Sequence, residues 1–169
     1  MDDADAWSLF ANLVQDFARA DVPPDVFQAL RLGRMTALKK DNGRARGIVA
    51  GSVLRRLACK AVAQQFADKL LAATAPWQFA LSTKAGTEAL AHAVRLLLET
   101  DDSLVVVSLD GVGAFDHIKR AGFMKQLHAN PELQQLLPLV TALYGSTSRF
   151  LWRDAAGKEH VVEQAEGGE

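Results

Sequence analysis

Residues 103–120, SLVVVSLDGVGAFDHIKR, decide how this chain is interpreted. The apolar run at 104–109 predicts a short β-strand, and because it is apolar on both faces we expect that strand in the middle of a covered sheet. The strand would end at Asp110 and deliver its carboxylate to an interior edge of the sheet. A carboxylate in that position is suited to hold a divalent metal ion against a phosphate. The sequence therefore predicts a candidate site for phosphoryl or nucleotidyl transfer.

The same residues have simpler interpretations, which the sequence alone leaves open. An aspartate at a strand end also caps turns, and for a single aspartate such as Asp110 this is the commoner role. Asp116 lies where a helix near Lys119 is predicted to begin, so its side chain is suited to cap that helix. Gly111 and Gly113 favour the ligand-binding interpretation, because glycine lets a ligand approach the backbone closely.

The composition is that of a single globular domain. The chain has 169 residues, of which 49% are hydrophobic and 23% are charged, enough for one ordinary core. The apolar stretches are too short to span a bilayer and the acidic start does not resemble a secretory signal, so we expect no membrane partner. Cys59 is the only cysteine, which excludes an internal disulfide and favours a reducing, intracellular compartment.

The net charge of −1 is unevenly distributed along the chain. Residues 31–60 contain nine basic side chains and one acidic side chain, giving +8, whereas the other 139 residues contain 10 basic and 19 acidic side chains, giving −9. Such a concentration of basic residues is typical of phosphate or nucleic-acid binding, although a solvated basic face is an equally common explanation. The basic residues of this window are Arg31, Arg34, Lys39, Lys40, Arg44, Arg46, Arg55, Arg56 and Lys60.

Periodicity and turn residues together predict one α+β domain. Asn42 and Gly43 lie between two extended runs and predict a β-hairpin over 34–50, because both residues tolerate a positive φ. A second hairpin is predicted over 148–164, and Ser52 is a good N-cap for the helix that follows the first hairpin. The predicted helices are 4–19, 24–30, 52–70, 86–99, 119–128 and 131–144.

Two families of phosphoryl-transfer enzymes have a local pattern similar to this one. The haloacid-dehalogenase-like phosphatases carry Asp-x-Asp-Gly at the end of a strand, which residues 108–112, SLDGV, resemble. However, Ser108 stands where their nucleophilic aspartate belongs, and a serine does not readily replace the carboxylate that forms an aspartyl phosphate. The chain also lacks the alternating βα units of that family, so this interpretation is the second alternative.

Residues 110–116, DGVGAFD, resemble the first palm motif of reverse transcriptases of the retrotransposon and group II intron type, Asp-x-x-Gly-Ala-Phe-Asp. Upstream, residues 39–48, KKDNGRARGI, are similar to the fingers hairpin of that family, with Gly47 in place of the usual proline. Because these segments occur in the family's order, the resemblance is more specific than either motif alone. Three further segments resemble the same family, namely 52–57, 79–88 and 164–169.

The resemblance covers residues 30–169, and residues 1–29 form a helical segment before it. It implies a partial polymerase right-hand fold, in which a fingers hairpin and helices are joined to an incomplete antiparallel palm sheet. Residues 164–169 would be the approach to the second palm motif, so the chain would be truncated before that motif is complete.

The resemblance also implies roles for individual residues. Asp110 would bind the metal ion, with the Gly111 carbonyl as an additional ligand. Phe115, beside Ala114, would lie under the nucleotide sugar and disfavour a ribose 2′-hydroxyl. The implied cofactor is Mg²⁺, with Mn²⁺ as an alternative, and only in the complete enzyme. The residues implied for the triphosphate are Lys39 or Lys40 together with Arg46, and those facing the template backbone or solvent are Arg55 and Arg56.

The implied partners are an RNA template, a DNA primer and deoxynucleoside triphosphates. The family's remaining carboxylates come from a later Tyr/Phe-x-Asp-Asp hairpin, which residues 117–169 do not supply. We therefore expect a fragment without polymerase activity of its own, which needs the rest of the palm and the thumb as partners and exposes an apolar sheet edge without them. The alternatives are a non-catalytic nucleic-acid-binding remnant of a retroelement and a remnant without a role. The family suggests a nuclear location.

Overall fold

The computed structural model describes residues 3–41, 43–81 and 83–168. The chain divides into two compact units, the first formed by Met1–Ala63 with Gly113–Glu169 and the second by Gln64–Val112. Both helices and strands are present, so the predicted α+β class is confirmed. The helices of the described residues are α1 (Asp3–Ala18), α2 (Pro24–Arg31), α3 (Val53–Gln65), α4 (Ala67–Thr74), α5 (Gly86–Thr100), α6 (Ala114–His117), α7 (Arg120–Ala129), a 3₁₀ helix (Pro131–Leu136) and α8 (Leu137–Tyr144). The strands are β1 (Gly33–Lys39), β2 (Ala45–Ala50), β3 (Ser148–Arg153) and β4 (Glu159–Gln164).

The first predicted hairpin is confirmed by the pairing of β1 with β2. The two strands run antiparallel, with Lys39 opposite Ala45 at the end nearest the turn. In that turn Gly43 has a φ of 77°, which glycine adopts without steric strain. Asn42, the other predicted turn residue, lies outside the described residues.

The second predicted hairpin is confirmed as well, and it joins the first hairpin in one sheet. β3 pairs antiparallel with β4, and β3 also pairs in parallel with β1, from Gly33 opposite Phe150 to Met35 opposite Trp152. The strand order is β2-β1-β3-β4. The expected incomplete antiparallel palm sheet is not what the described strands form, because a parallel contact between β1 and β3 joins the two hairpins in one mixed sheet.

The core of the first unit lies where α1, α2, α3 and α8 meet. The rings of Phe17 and Phe27 stack with their centroids 5.1 Å apart and their planes 11° apart. Both are buried, together with Ala58, Leu139 and Leu143. Burial of this cluster brings the N-terminal helices together with the helix that follows the β1–β2 hairpin.

The apolar run at 104–109 does not form a strand, and the prediction of a covered strand there is wrong. Val105, Val107 and Leu109 are 83%, 72% and 90% exposed. A strand needs a hydrogen-bonded neighbour, and the four described strands pair only with one another. The sheet also offers no support for the phosphatase alternative, because the described strands do not alternate with helices as βα units.

The second unit contains the predicted helix α5, but this helix buries less of its apolar side-chain surface than expected. Helical periodicity predicts that Leu90 and either Leu97 or Leu98 face inward, but these three side chains are 46%, 58% and 39% exposed. Across the described ranges, no helix combines the length and the hydropathy needed to cross a membrane.

Gly33 gives a test of how closely β1 packs against the side chains of Val49 in β2 and Phe150 in β3. A Cβ at this position would lie 2.4 Å from Val49 Cγ1 and 3.1 Å from Phe150 Cδ1. We expect Gly33→Ala to lower the free energy of unfolding in urea by about 1–3 kcal/mol through overpacking. Gly122→Ala is the matched control, because its Cβ would meet nothing nearer than Lys119 Cβ at 3.9 Å, and alanine in a helix should raise stability by up to about 1 kcal/mol. A Gly33→Ala variant as stable as the parent chain would contradict the close packing of Val49 in β2 and Phe150 in β3 around Gly33.

Candidate functional site

The basic turn end of the β1–β2 hairpin is exposed, and the pairing register separates its two lysines. Leu38 lies directly opposite Arg46, so alternation along the strand puts Lys39 on the other face. The Lys40 N–H donates to the Arg44 carbonyl oxygen at 2.8 Å, which continues the ladder and places Lys40 on the face of Arg46. Lys40, rather than Lys39, can therefore act together with Arg46 on one ligand.

The positive charge continues along the same face of β1. Strand alternation places Arg34 on the side that carries Leu38 and, across the pairing, Arg46. A cleft of about 370 Å³ lies beside the parallel contact of β1 with β3 and is lined in part by Arg34 and Arg153. Arg153 forms an ion pair with Glu159, in which Nη2 lies 2.5 Å from Oε1. We call the surface formed by Arg34, Lys40 and Arg46 the basic face.

The two arginines at the start of α3 have different environments. Arg55 is 6% exposed, and its Nη1 donates to the Arg31 carbonyl oxygen at 3.1 Å. Its backbone N–H donates to Ser52 Oγ at 3.2 Å, which confirms the predicted helix cap. Arg56 is exposed. The guanidinium of Arg55 is engaged in the fold, so of this pair only Arg56 exposes its side chain to solvent.

Asp110 and Gly111 are exposed and follow the irregular segment 104–109 in the second unit. In the described ranges, no group of three or more His, Cys, Asp and Glu side chains is arranged to hold a metal ion. A two-magnesium centre requires carboxylates for both ions, because each Mg²⁺ is usually held by one or two carboxylates together with waters and substrate phosphates. Asp110 and the Gly111 carbonyl alone do not meet that requirement, so these residues do not fit a complete two-magnesium centre.

Ala114 and Phe115 belong to the first unit and form the start of α6. This helix of four residues begins after Gly113, whose φ is 61°, and the ring of Phe115 is 76% exposed. Asp116 lies inside α6, while α7 begins later, at Arg120, without a side-chain cap. The alternative in which Asp116 caps the following helix is therefore wrong.

The turn that follows β4 lies on the backbone of α6, a contact that the sequence did not predict. The Gly168 N–H donates to the Phe115 carbonyl oxygen at 2.7 Å, and the Gly167 N–H donates to the Ile118 carbonyl oxygen at 2.9 Å. The resemblance places both segments near the two palm motifs, but no residue pattern signals their hydrogen bonds. Arg120, which is also buried beside this turn, was likewise missed, because an arginine that follows Lys119 is typical of a surface position.

The turn between β3 and β4 is organised by one carboxylate. Asp154 Oδ1 accepts hydrogen bonds from the Ala156 and Lys158 N–H groups at 3.0 and 2.9 Å, and Oδ2 lies 2.8 Å from His160 Nε2. The bond with His160, followed by that with Lys158, lowers the pKa of Asp154 from its ordinary value of 3.8. The ring of Trp152 lies 5.0 Å from that of His160, so Trp152 packs within the hairpin.

Comparison with known proteins gives one informative similarity. The chain is 28% identical over 157 residues to the retrotransposable element SLACS 132 kDa protein of Trypanosoma brucei gambiense. The alignment covers 93% of this chain and 13% of that protein, so the chain spans only a small part of its relative's length. No protein-family model matches the chain, and no solved structure matches it. The similarity indicates a relation to retroelement proteins.

The Asp154 turn predicts a specific pH dependence of stability. Because the pKa of Asp154 is lower in the folded chain than in the unfolded chain, its carboxylate stabilises the fold above the ordinary carboxyl pKa, and this contribution is lost as the pH falls through the folded pKa. Asp154→Asn should therefore lower the thermal melting midpoint at pH 7, and the difference from the parent chain should shrink below about pH 4. Melting curves across this range test it, with Asp102→Asn as the control for loss of one exposed charge. A difference that stays constant with pH would contradict this role of the carboxylate.

Proposed function

We propose that this chain is the fingers and the first part of the palm of a retroelement reverse transcriptase. On its own it binds nucleic acid and deoxynucleoside triphosphate through the first unit and does not polymerise. The observation that carries this proposal is the exposed β1–β2 hairpin, which presents Lys40 and Arg46 on one face at the position where the resemblance requires the fingers hairpin. The similarity to a retrotransposable element protein over most of the chain supports it independently.

The basic face supplies the recognition of phosphate. The planar guanidinium of Arg46 can donate two parallel hydrogen bonds to phosphate oxygens, and Lys40 adds a compact positive charge on the same side. Arg34 extends the charge along β1, so a phosphodiester backbone can follow the strand. Such contacts release counterions, and binding should therefore weaken steeply with salt.

The exposed ring of Phe115 supplies selectivity for the sugar. A flat aromatic side chain under the nucleotide fills the space that a ribose 2′-hydroxyl needs, so deoxynucleotides are preferred by steric exclusion. Ala114, which precedes it, leaves the backbone accessible on that side because its side chain is small. The role of both residues in this proposal comes from the match of residues 110–116 to the first palm motif.

The nucleotidyl-transfer reaction requires groups that the described residues do not supply. When bound in a complete enzyme, magnesium would neutralise charge on the triphosphate, and Asp110 with the Gly111 carbonyl would contribute part of its ligand set. The remaining carboxylates and the thumb would come from a further polypeptide segment, together with the RNA template and DNA primer. The exposed apolar run at 104–109, which pairs with no described strand, would need a neighbouring strand from the rest of the palm to join a sheet.

The face assignment of the hairpin residues can be tested by binding. We expect Arg46→Ala and Lys40→Ala each to weaken binding of an RNA–DNA primer–template severalfold, and to reduce the slope of log K against log salt by about 0.9 for each phosphate that is no longer neutralised. Lys39→Ala is the matched control, because it removes the same charge from the opposite face and should leave the affinity unchanged. Fluorescence anisotropy at several salt concentrations measures all three. Equal weakening by Lys39→Ala and Lys40→Ala, or no weakening by any variant, would contradict the proposed basic face.

The lack of polymerase activity is a separate prediction. Purified chain of these 169 residues should not extend a primer on an RNA template in Mg²⁺ or Mn²⁺, because Asp110 does not complete a two-metal centre. Primer-extension gels check this, with an active reverse transcriptase as the positive control. Metal-dependent extension by the chain alone would overturn the view that it is a catalytically incomplete fragment.

A further inference from the structure

Arg120, the first residue of α7, is a buried cation whose guanidinium makes hydrogen bonds through all three of its nitrogen atoms. It is 5% exposed. Its Nε donates to the Gly167 carbonyl oxygen at 2.9 Å, its Nη1 to the Ser146 carbonyl oxygen at 2.8 Å and its Nη2 to Ser148 Oγ at 2.9 Å. Its guanidinium carbon lies 5.4 Å from the centroid of the Tyr144 ring. One side chain thus links the start of α7, the turn before β3 and the turn after β4.

The charge of Arg120 is compensated by neutral oxygen atoms and not by a carboxylate. Among the described residues, none places a carboxylate within ion-pair distance of its guanidinium. Glu166 lies close by, but its Oε2 accepts the backbone N–H of Arg120 at 2.9 Å and its Oε1 lies 3.9 Å from Lys119 Nζ. Burying a cation is costly unless its donors are satisfied. This site therefore requires three donors in the planar arrangement of arginine, which lysine does not provide.

The turn that Arg120 holds lies directly against the backbone of Phe115. Gly167 has a φ of 85°, and a Cβ there would lie 2.7 Å from the Phe115 carbonyl oxygen and 2.6 Å from that of Asp116. The Gly168 N–H donates to the same Phe115 carbonyl oxygen at 2.7 Å. The absence of a side chain at Gly167 thus allows a backbone-to-backbone contact between the turn after β4 and α6.

The Phe115 ring depends on this contact for its orientation. The ring is 76% exposed, so surrounding side chains do little to fix it, and α6 has only four residues. Helices this short are not stable by themselves. The Gly168 N–H holds the backbone from which the ring projects, and so fixes the position of the Cα–Cβ bond that carries the ring.

We propose that Arg120 is a positioning residue, which clamps the turn containing Gly167 and Gly168 onto the backbone of Phe115 and thereby sets the selectivity of that ring for deoxyribose over ribose. The selectivity part of this inference rests on the function proposed above. The clamp itself rests only on the hydrogen bonds of Arg120 and of the two glycines. Arg120 touches neither nucleotide nor metal and acts through Phe115.

The test combines hydrogen exchange with nucleotide binding in the full chain. In Arg120→Lys, we expect the Gly167 and Gly168 amides to exchange about tenfold faster, the size expected when a hydrogen bond to a charged group is removed, while the amides of β1 and β2 stay as slow as in the parent chain. The ratio of the affinities for dATP and ATP should fall severalfold towards one. Arg149→Ala, which removes an exposed arginine paired with Glu163, is the control and should change neither quantity.

The outcomes separate a positioning role from a merely structural one. Faster exchange throughout the chain, or an unchanged dATP preference despite local loosening of the two glycine amides, would overturn the proposal. If Arg120→Lys does not fold, Ser148→Ala removes only the Nη2 hydrogen bond and should give a smaller change of the same kind; no change would overturn the proposal. If the parent chain binds neither nucleotide, the proposed function fails. The hydrogen-exchange result still tests the clamp: faster exchange confined to the two glycine amides supports it, and faster exchange throughout the chain contradicts it.

Discussion

The parallel contact between β1 and β3 is the interaction on which the rest of the first unit depends. It exists because Gly33 has no side chain, so that Val49 and the buried ring of Phe150 can occupy the space beside it. Without this contact the two hairpins would be separate two-stranded ribbons, which are marginally stable in water. With it, the basic hairpin becomes part of one four-stranded sheet.

The same sheet connects the basic face to Phe115. β3 begins at Ser148, whose hydroxyl accepts a hydrogen bond from Arg120, and Arg120 in turn holds the turn that lies on the Phe115 backbone. The hairpin proposed to bind phosphate and the ring proposed to meet the sugar are therefore linked through β1, β3 and one buried arginine. Asp110 belongs to the second unit, where it lies in an exposed segment without regular secondary structure. The proposed binding groups are thus built into the first unit, whereas the candidate metal ligand needs further ligands that the described residues do not include.

Local signals in the sequence predicted much of this fold. The Asn-Gly turn, the Ser52 cap and the helical periodicities indicated both hairpins and most of the helices, because these depend on residues close together along the chain. The prediction of a covered strand at 104–109 was wrong. An apolar run forms a strand only when a neighbouring strand pairs with it, and the local sequence does not contain that neighbour. The parallel register at Gly33 and the hydrogen bonds of Arg120 join residues far apart in the chain, and single-sequence patterns do not encode them. For the site, the sequence did not show whether Lys39 or Lys40 acts together with Arg46. Only the pairing register showed that Lys40 lies on the same face as Arg46 and Lys39 on the opposite face.

The most direct measurement is an NMR titration of the isotope-labelled chain with dATP. We expect saturable chemical-shift changes that share one dissociation constant and coincide at Arg46 on the hairpin and at Phe115 on α6, because both contact the same nucleotide. Changes confined to one of these two places, or saturable changes centred elsewhere in the chain, would contradict the proposal that the hairpin and the Phe115 turn form one nucleotide site.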